Sequence, residues 1–308
     1  AVTSGRVETM HTPGGTGALR VAGDLVSTIG PTASVWLSTP TWPNHPQVFS
    51  AAGLPVRSYP YLGEDGELDI DTLLGVLRAV PAGDVVVLHG CCHNPTGIDP
   101  TVEQWERIAD AVVEAEALPL LDFAYQGFAN GLDEDAAGLR ALLARGVTMF
   151  VASSFSKNFA LYDERVGALS LVGASADETA ALLSHAKAAI RSNYSNPPAH
   201  GGEIVSTVLT DPELTERWVG EVRTMRDRIN GNRAKFVAGL LAAGAPGNHE
   251  SLMRQRGMFS LLPLGEERVA RLRDEFAIYL VGKGRVNLAG HTADNLDPVC
   301  RAIAAVTG

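Results

Sequence analysis

Disulfide chemistry has little to work with in this chain: its 308 residues include three cysteines, Cys91, Cys92 and Cys300, two of them adjacent. An odd, clustered set is a poor basis for a disulfide framework and points to a reducing compartment. Long apolar runs are missing too. No segment approaches the roughly 20 residues a membrane span needs, and Ala1-Val2-Thr3-Ser4-Gly5-Arg6 has no apolar core of the signal-peptide kind. The cytoplasm is the expected location, with no membrane partner. Positive charge is in the minority, 25 Lys and Arg against 35 Asp and Glu, a formal net charge of -10. That balance argues against general nucleic-acid binding, so partners are expected to be small molecules or another protein. No internal repeat or low-complexity tract is present, and no metal site is expected.

What remains is an ordinary globular composition, 45% hydrophobic, in a chain long enough for two domains. Short apolar runs alternate with longer amphipathic stretches: Val35-Trp36-Leu37, Val85 to Leu88, Leu118 to Leu121, Met149-Phe150-Val151 and Ala168 to Val172. The alternation predicts an α/β fold with a mostly parallel sheet flanked by helices. Between the second and third runs, Asp99-Pro100 offers an N-cap and a first-turn proline. Val102, Trp105, Ile108, Ala109, Val112 and Val113 then recur at helical spacing, which predicts a crossover helix. After Asp211-Pro212 a long charged helix is expected over 213–241, interrupted at Asn230-Gly231. A large domain over 1–224 and a smaller α+β domain over 225–308 follow from that change of pattern.

In an open α/β sheet the ligand lies beyond the carboxyl ends of the strands. Here the residues just past three successive runs are polar: His89 to Gly97 after the second, Asp122-Phe123-Ala124-Tyr125 after the third, and Ser153-Ser154-Phe155-Ser156-Lys157 after the fourth. Singly, each has an ordinary reading: Asn94-Pro95-Thr96-Gly97 is a good turn, Asp122 a local cap, Lys157 a solvated amine. Together they place an amide, a carboxylate with a phenol, and an amine on one sheet edge, which a ligand explains better than three accidents. Near the N-terminus, Pro13-Gly14-Gly15-Thr16-Gly17 runs into a helical segment, where glycines let backbone amides approach an anion. It has neither Walker-loop nor dinucleotide-fingerprint spacing.

The stretches Gly15-Thr16-Gly17-Ala18-Leu19, Pro40 to His45, His93-Asn94-Pro95-Thr96-Gly97, Asp122 to Phe128 and Ser156 to Gly167 occur in this order. Arg191 to Pro198, Gly257-Met258-Phe259-Ser260 and Gly284 to Gly290 follow. With these motifs the chain resembles, over nearly its whole length, the class I, fold type I aspartate and aromatic amino acid aminotransferases, which use pyridoxal 5'-phosphate.

The resemblance implies a cofactor pocket residue by residue. Lys157 would form the Schiff base with the cofactor aldehyde and later shuttle the substrate α-proton. Asp122 would hold the pyridinium nitrogen, Asn94 and Tyr125 the phenolic oxygen, and Trp42 the ring face. Gly15, Thr16, Ser154, Ser156 and Arg165 would hold the phosphate, with His45 and His89 behind Asp122. Arg285 would clamp the α-carboxylate, aided by Asn94 and Trp42. Arg191 would meet a distal carboxylate across the interface of a homodimer with shared sites. The implied reaction moves the amino group of tyrosine, phenylalanine or aspartate to 2-oxoglutarate. Amino acids and 2-oxo acids would be its small-molecule substrates.

Gly14 stands where the aspartate enzymes usually carry serine, while His89-Gly90-Cys91-Cys92-His93, Ser154-Phe155-Ser156 and Gln255-Arg256-Gly257-Met258-Phe259 resemble the aromatic branch. An aromatic enzyme of dual specificity is therefore expected, with aspartate preference as the alternative. The family's N-terminal portion, with its dimer-embracing arm, has no counterpart here. The expected consequence is weaker dimerisation and cofactor affinity, or a catalytically weak homologue that binds cofactor or a partner without turnover. A lyase or decarboxylase is the competing chemistry, and the two substrate arginines favour transamination over it.

Overall fold

A computed structural model of the chain describes residues 2–308. Seven strands form one sheet in the order β1-β7-β6-β5-β4-β2-β3. They are β1 (Val7–Pro13), β2 (Val35–Thr39), β3 (Val56–Pro60), β4 (Val85–His89), β5 (Leu118–Phe123), β6 (Met149–Ser154) and β7 (Val166–Val172). The four pairings that run from β3 through β2, β4 and β5 to β6 are parallel, and β7 runs antiparallel to both β6 and β1. The helices of this part are α1 (Gly14–Ile29), α2 (His45–Ala51), α3 (Ile70–Arg78), α4 (Val102–Glu114), α5 (Ala137–Ala144), α6 (Ala176–Asn193) and α7 (Ala199–Thr210).

Every apolar run singled out in the sequence is a strand of this sheet. Burial explains why they were legible: all five residues of β4 are buried, and a strand covered on both faces reads as a continuous apolar run. Its side chains divide by period two, Val85 and Val87 packing with α1, Val86 and Leu88 with α4. Strands β1 and β3 were not foreseen. Both are edge strands whose exposed positions carry Glu8, Thr9, Arg57 and Ser58, so neither gives an apolar run.

Two helix details differ from expectation. The cap of α4 is Thr101, whose hydroxyl accepts from Gln104 N while the Gln104 side chain accepts from Thr101 N. This reciprocal pair takes the start of the helix past Asp99-Pro100. Asp99 instead accepts the amides of Cys92 and His93 at 2.7 and 2.8 Å. The long helix, α8 (Pro212–Ala242), is continuous through Asn230-Gly231. A lone glycine costs a helix only about 1 kcal/mol, and Asn230 is employed, its side-chain oxygen accepting from Arg233 at 2.7 Å.

The division expected between 224 and 225 falls inside α8. Beyond α8 lie a two-stranded antiparallel sheet, β8 (Phe259–Leu261) with β9 (Arg285–Asn287), and the helices α9 (Gly265–Phe276) and α10 (Leu296–Thr307). All three cysteines are buried free thiols. Among the described residues no helix is long and apolar enough to cross a membrane.

Candidate active site

Because β4, β5 and β6 are parallel neighbours, their carboxyl ends open on one edge, and the residues that follow them meet there. The antiparallel β1 brings Pro13 beside Val166, which sets the N-terminus of α1 against the same edge. One pocket results. Its walls include Gly15, Thr16, Trp42, His89, Asn94, Asp122, Tyr125, Ser154, Ser156, Lys157 and Arg165, all named from the sequence. Leu19, Ala124 and Tyr162 also line it and were missed. Tyr162 lies within the stretch Ser156 to Gly167, but a tyrosine on a polar loop carries no signal of its own.

One end of the pocket is built for an anion. Pro13 supplies no side-chain cap to α1, so the first-turn amides remain available, and the helix dipole favours negative charge there. Gly14 has φ +72°, and a Cβ on it would come 2.6 Å from Arg165 Nη2; one on Gly15 would come 2.9 Å from Ser154 Cβ. Backbone, guanidinium and hydroxyl thus approach more closely than a side chain allows. Ser154 Oγ donates to Ser156 Oγ at 3.2 Å, and Arg165 Nη1 donates to the Tyr162 carbonyl at 3.0 Å.

The other end is a buried carboxylate, Asp122, backed by a directed chain of hydrogen bonds. A carboxylate only accepts, so His45 Nε2 donates to Asp122 Oδ2 at 3.1 Å. On the other side of the ring, His45 Nδ1 pairs with Thr41 Oγ1 at 2.8 Å. Thr41 Oγ1 then accepts from His89 Nε2 at 3.2 Å, and His89 Nδ1 accepts the Asn94 amide at 3.3 Å. Each ring thus has a hydrogen-bond partner at both nitrogens. Burial, with His45 nearby, pushes His89 down to about 3 against the pull of Asp122. Burial alone would raise Asp122, but the His45 hydrogen bond and the charges around it hold the carboxyl below its ordinary value. Thr41 carries no signal of its own in the sequence, and its two bonds join His45 and His89.

Lys157 stands between the two ends. Its Nζ lies 4.5 Å from the Tyr125 ring centroid and 5.8 Å from that of Tyr162, and no ion pair among the described residues involves it. Burial lowers its pKa, Asp122 opposes this, and Arg165 adds to it. The amine is therefore easier to deprotonate than a surface lysine.

Arg285 and His45 do not line the pocket but attach to residues that do. Arg285 Nη1 donates to Asn94 Oδ1 at 2.9 Å, Asn94 Nδ2 donates to Tyr125 Oη at 3.4 Å, and the Arg285 guanidinium lies 4.4 Å from the Phe259 ring centroid. Arg191 is not brought to the site. It ends α6 on the surface, its guanidinium bonded to Ser195 Oγ.

A desolvated amine between an anion cup and an ionised carboxylate has no structural purpose that would offset its burial. The class that fits is a lysine-centred enzyme of the α/β type working on a phosphorylated aromatic cofactor. Pyridoxal 5'-phosphate meets these groups in kind: an anion for the cup, a basic ring nitrogen for Asp122, a phenolic oxygen for Asn94 and Tyr125, an aldehyde for the amine.

The chain belongs to the aminotransferase class I and II family, whose sequence model matches residues 1–303. It is 53% identical over 302 residues to an aspartate aminotransferase of Escherichia coli (strain K12), covering 98% of this chain and 76% of that protein. An aromatic-amino-acid aminotransferase of Pseudomonas aeruginosa is 48% identical, covering 98% of this chain and 75% of that one. Among solved structures, an aromatic-amino-acid aminotransferase from Burkholderia pseudomallei, covalently bound to pyridoxal phosphate, superposes with a TM-score of 0.97 at 46% identity. That match covers 100% of this chain and 77% of that one.

Proposed function

We propose that the protein is a pyridoxal-phosphate-dependent transaminase that moves the amino group of an aromatic amino acid or aspartate to 2-oxoglutarate in two half-reactions at one site. The observation that carries this reading is the meeting of Lys157, Asp122 and the Arg285–Asn94 pair on one sheet edge. When bound, the cofactor supplies an aldehyde and an electron-withdrawing ring. The chain's residues do the rest. Gly15, Thr16, Ser154, Ser156 and Arg165 bind the phosphate. Asp122, kept ionised through His45 and His89, holds a proton at the ring nitrogen, while Tyr125 and Asn94 orient the ring and Trp42 covers its face. Lys157, with its lowered pKa, takes a proton from the substrate α-carbon and returns it at the cofactor carbon. Arg285 with Asn94 fixes the α-carboxylate, and that orientation decides which α-bond breaks.

Two domains, 1–224 and 225–308, connected through α8, belong to this reading, as does a cytoplasmic homodimer in which Arg191 reaches the site of the second copy and binds a distal carboxylate. A lyase would need no second carboxylate site; Arg191 favours transamination. Relatives of both substrate preferences, at 53% and 48% identity, support keeping aspartate and aromatic substrates together. The test is a half-reaction survey: protein loaded with pyridoxal phosphate, mixed with tyrosine, phenylalanine, tryptophan, aspartate and glutamate, and followed by cofactor absorbance. A spectral change with an aromatic amino acid or aspartate, reversed by 2-oxoglutarate, is expected. No change with any of them defeats the proposal.

A further inference from the structure

Arg233 is 1% exposed, among the largest fully buried side chains of the molecule, and it belongs neither to the pocket nor to any ion pair found among the described residues. Burying a guanidinium without a carboxylate is costly. Burial pulls its pKa down to about 10, with Arg256 adding to the effect and Cys92 and Asp99 opposing it. Nη1 donates to Asn230 Oδ1 at 2.7 Å on its own helix, and Nε has no partner. The outward-directed bond is Nη2 to the Gly257 carbonyl, at 2.5 Å.

What that carbonyl belongs to gives the bond its meaning. Gly257, at φ +79°, packs so closely on Cys92 that a Cβ would lie 2.4 Å from the Cys92 Cβ. The preceding residue, Arg256, donates its amide to the Gly97 carbonyl at 2.6 Å. The following residue, Met258, accepts the Leu288 amide at 2.8 Å. Phe259 comes next, with its ring against Tyr125 and under the Arg285 guanidinium. Residues 256–259 thus touch both halves of the carboxylate pair: the loop that presents Asn94 and the strand that presents Arg285.

We propose that Arg233 is a positioning residue for substrate carboxylate binding. By holding the Gly257 carbonyl it fixes residues 256–259, and through them the orientation of Phe259 and Arg285 relative to Asn94. The inference rests on the transaminase reading. It explains why an arginine is used so deep in the protein: a charged donor makes a stronger, more directional bond to a carbonyl than a neutral one.

The test is calorimetric binding of succinate, a non-reacting dicarboxylate, to protein loaded with pyridoxal phosphate. Arg233→Gln is expected to weaken succinate binding about tenfold or more and Arg233→Lys several-fold, with retention of the cofactor unchanged. In an Arg285→Ala background the Arg233→Gln substitution is expected to add little, because its effect runs through Arg285. If Arg233→Gln is insoluble, Arg233→Lys carries the test. Wild-type affinity in either soluble variant, or fully additive losses in the double variant, overturns the proposal. Failure of the wild-type protein to bind succinate is a separate result, which overturns the transaminase reading and this inference with it.

Discussion

At the scale of single residues, the site separates groups that must ionise from groups that must not. Lys157→Ala is expected to lower turnover by at least about 100-fold and to abolish covalent retention of the cofactor. A variant that still kept cofactor through denaturation after borohydride reduction would remove Lys157 from its role. The histidines give a pH prediction. His89 is held at about 3 in the folded protein against an ordinary 6.5, so unfolding takes up a proton anywhere between those values. Its contribution is fully present above about 6.5 and is lost as pH falls toward 3, at roughly 1.4 kcal/mol per pH unit. His93, also driven down by burial, adds in the same direction. Denaturant melts from pH 7 to 4 should show this slope, and His89→Gln should flatten it; an unchanged slope would show that the ring titrates normally. Single residues were the most legible level. Lys157, Asp122 and Asn94 follow apolar runs in a way that order along the chain reveals. Thr41 and Arg233 were not legible, because a hydroxyl bridging two rings and a buried guanidinium on a carbonyl depend on distances no local pattern encodes.

At the scale of elements, the strands buried on both faces were readable and the edge strands were not, since β1 and β3 are half wet and lose the apolar run. Helix ends were read to within a turn; Asp99 looked like a cap, yet tertiary contacts claimed it for the Cys92 and His93 amides. The start of α1 offers a sharper test. Gly14→Ala puts a Cβ 2.6 Å from Arg165 Nη2 at a φ of +72°, which both strains the turn and displaces the guanidinium. Affinity for pyridoxal 5'-phosphate is expected to fall about tenfold or more, the energy of roughly one charge-assisted bond. Affinity for pyridoxal, which has no phosphate, should scarcely change. Equal losses for both ligands would mean that the cup does not read the phosphate.

At the scale of the whole molecule, the proposed function draws on two copies. Arg191 is exposed and is not among the pocket walls of its own copy, so Arg191→Leu is expected to raise KM for 2-oxoglutarate much more than for phenylalanine, and only where light scattering shows a dimer. Equal effects on both substrates would cancel its assignment. The two ends of the chemistry are nevertheless linked within a single copy by α8. Trp218 Nε1 donates to the Asn158 carbonyl, next to Lys157, at 2.8 Å, and fifteen residues on (233 minus 218) Arg233 holds Gly257. At 1.5 Å per residue these anchors are about 22 Å apart along the axis. The helix therefore acts as a ruler, turning the spacing between an amine and a carboxylate clamp into a count of residues. One residue added between the anchors would turn one against the other by about 100°, so within α8 sequence length itself is under geometric control.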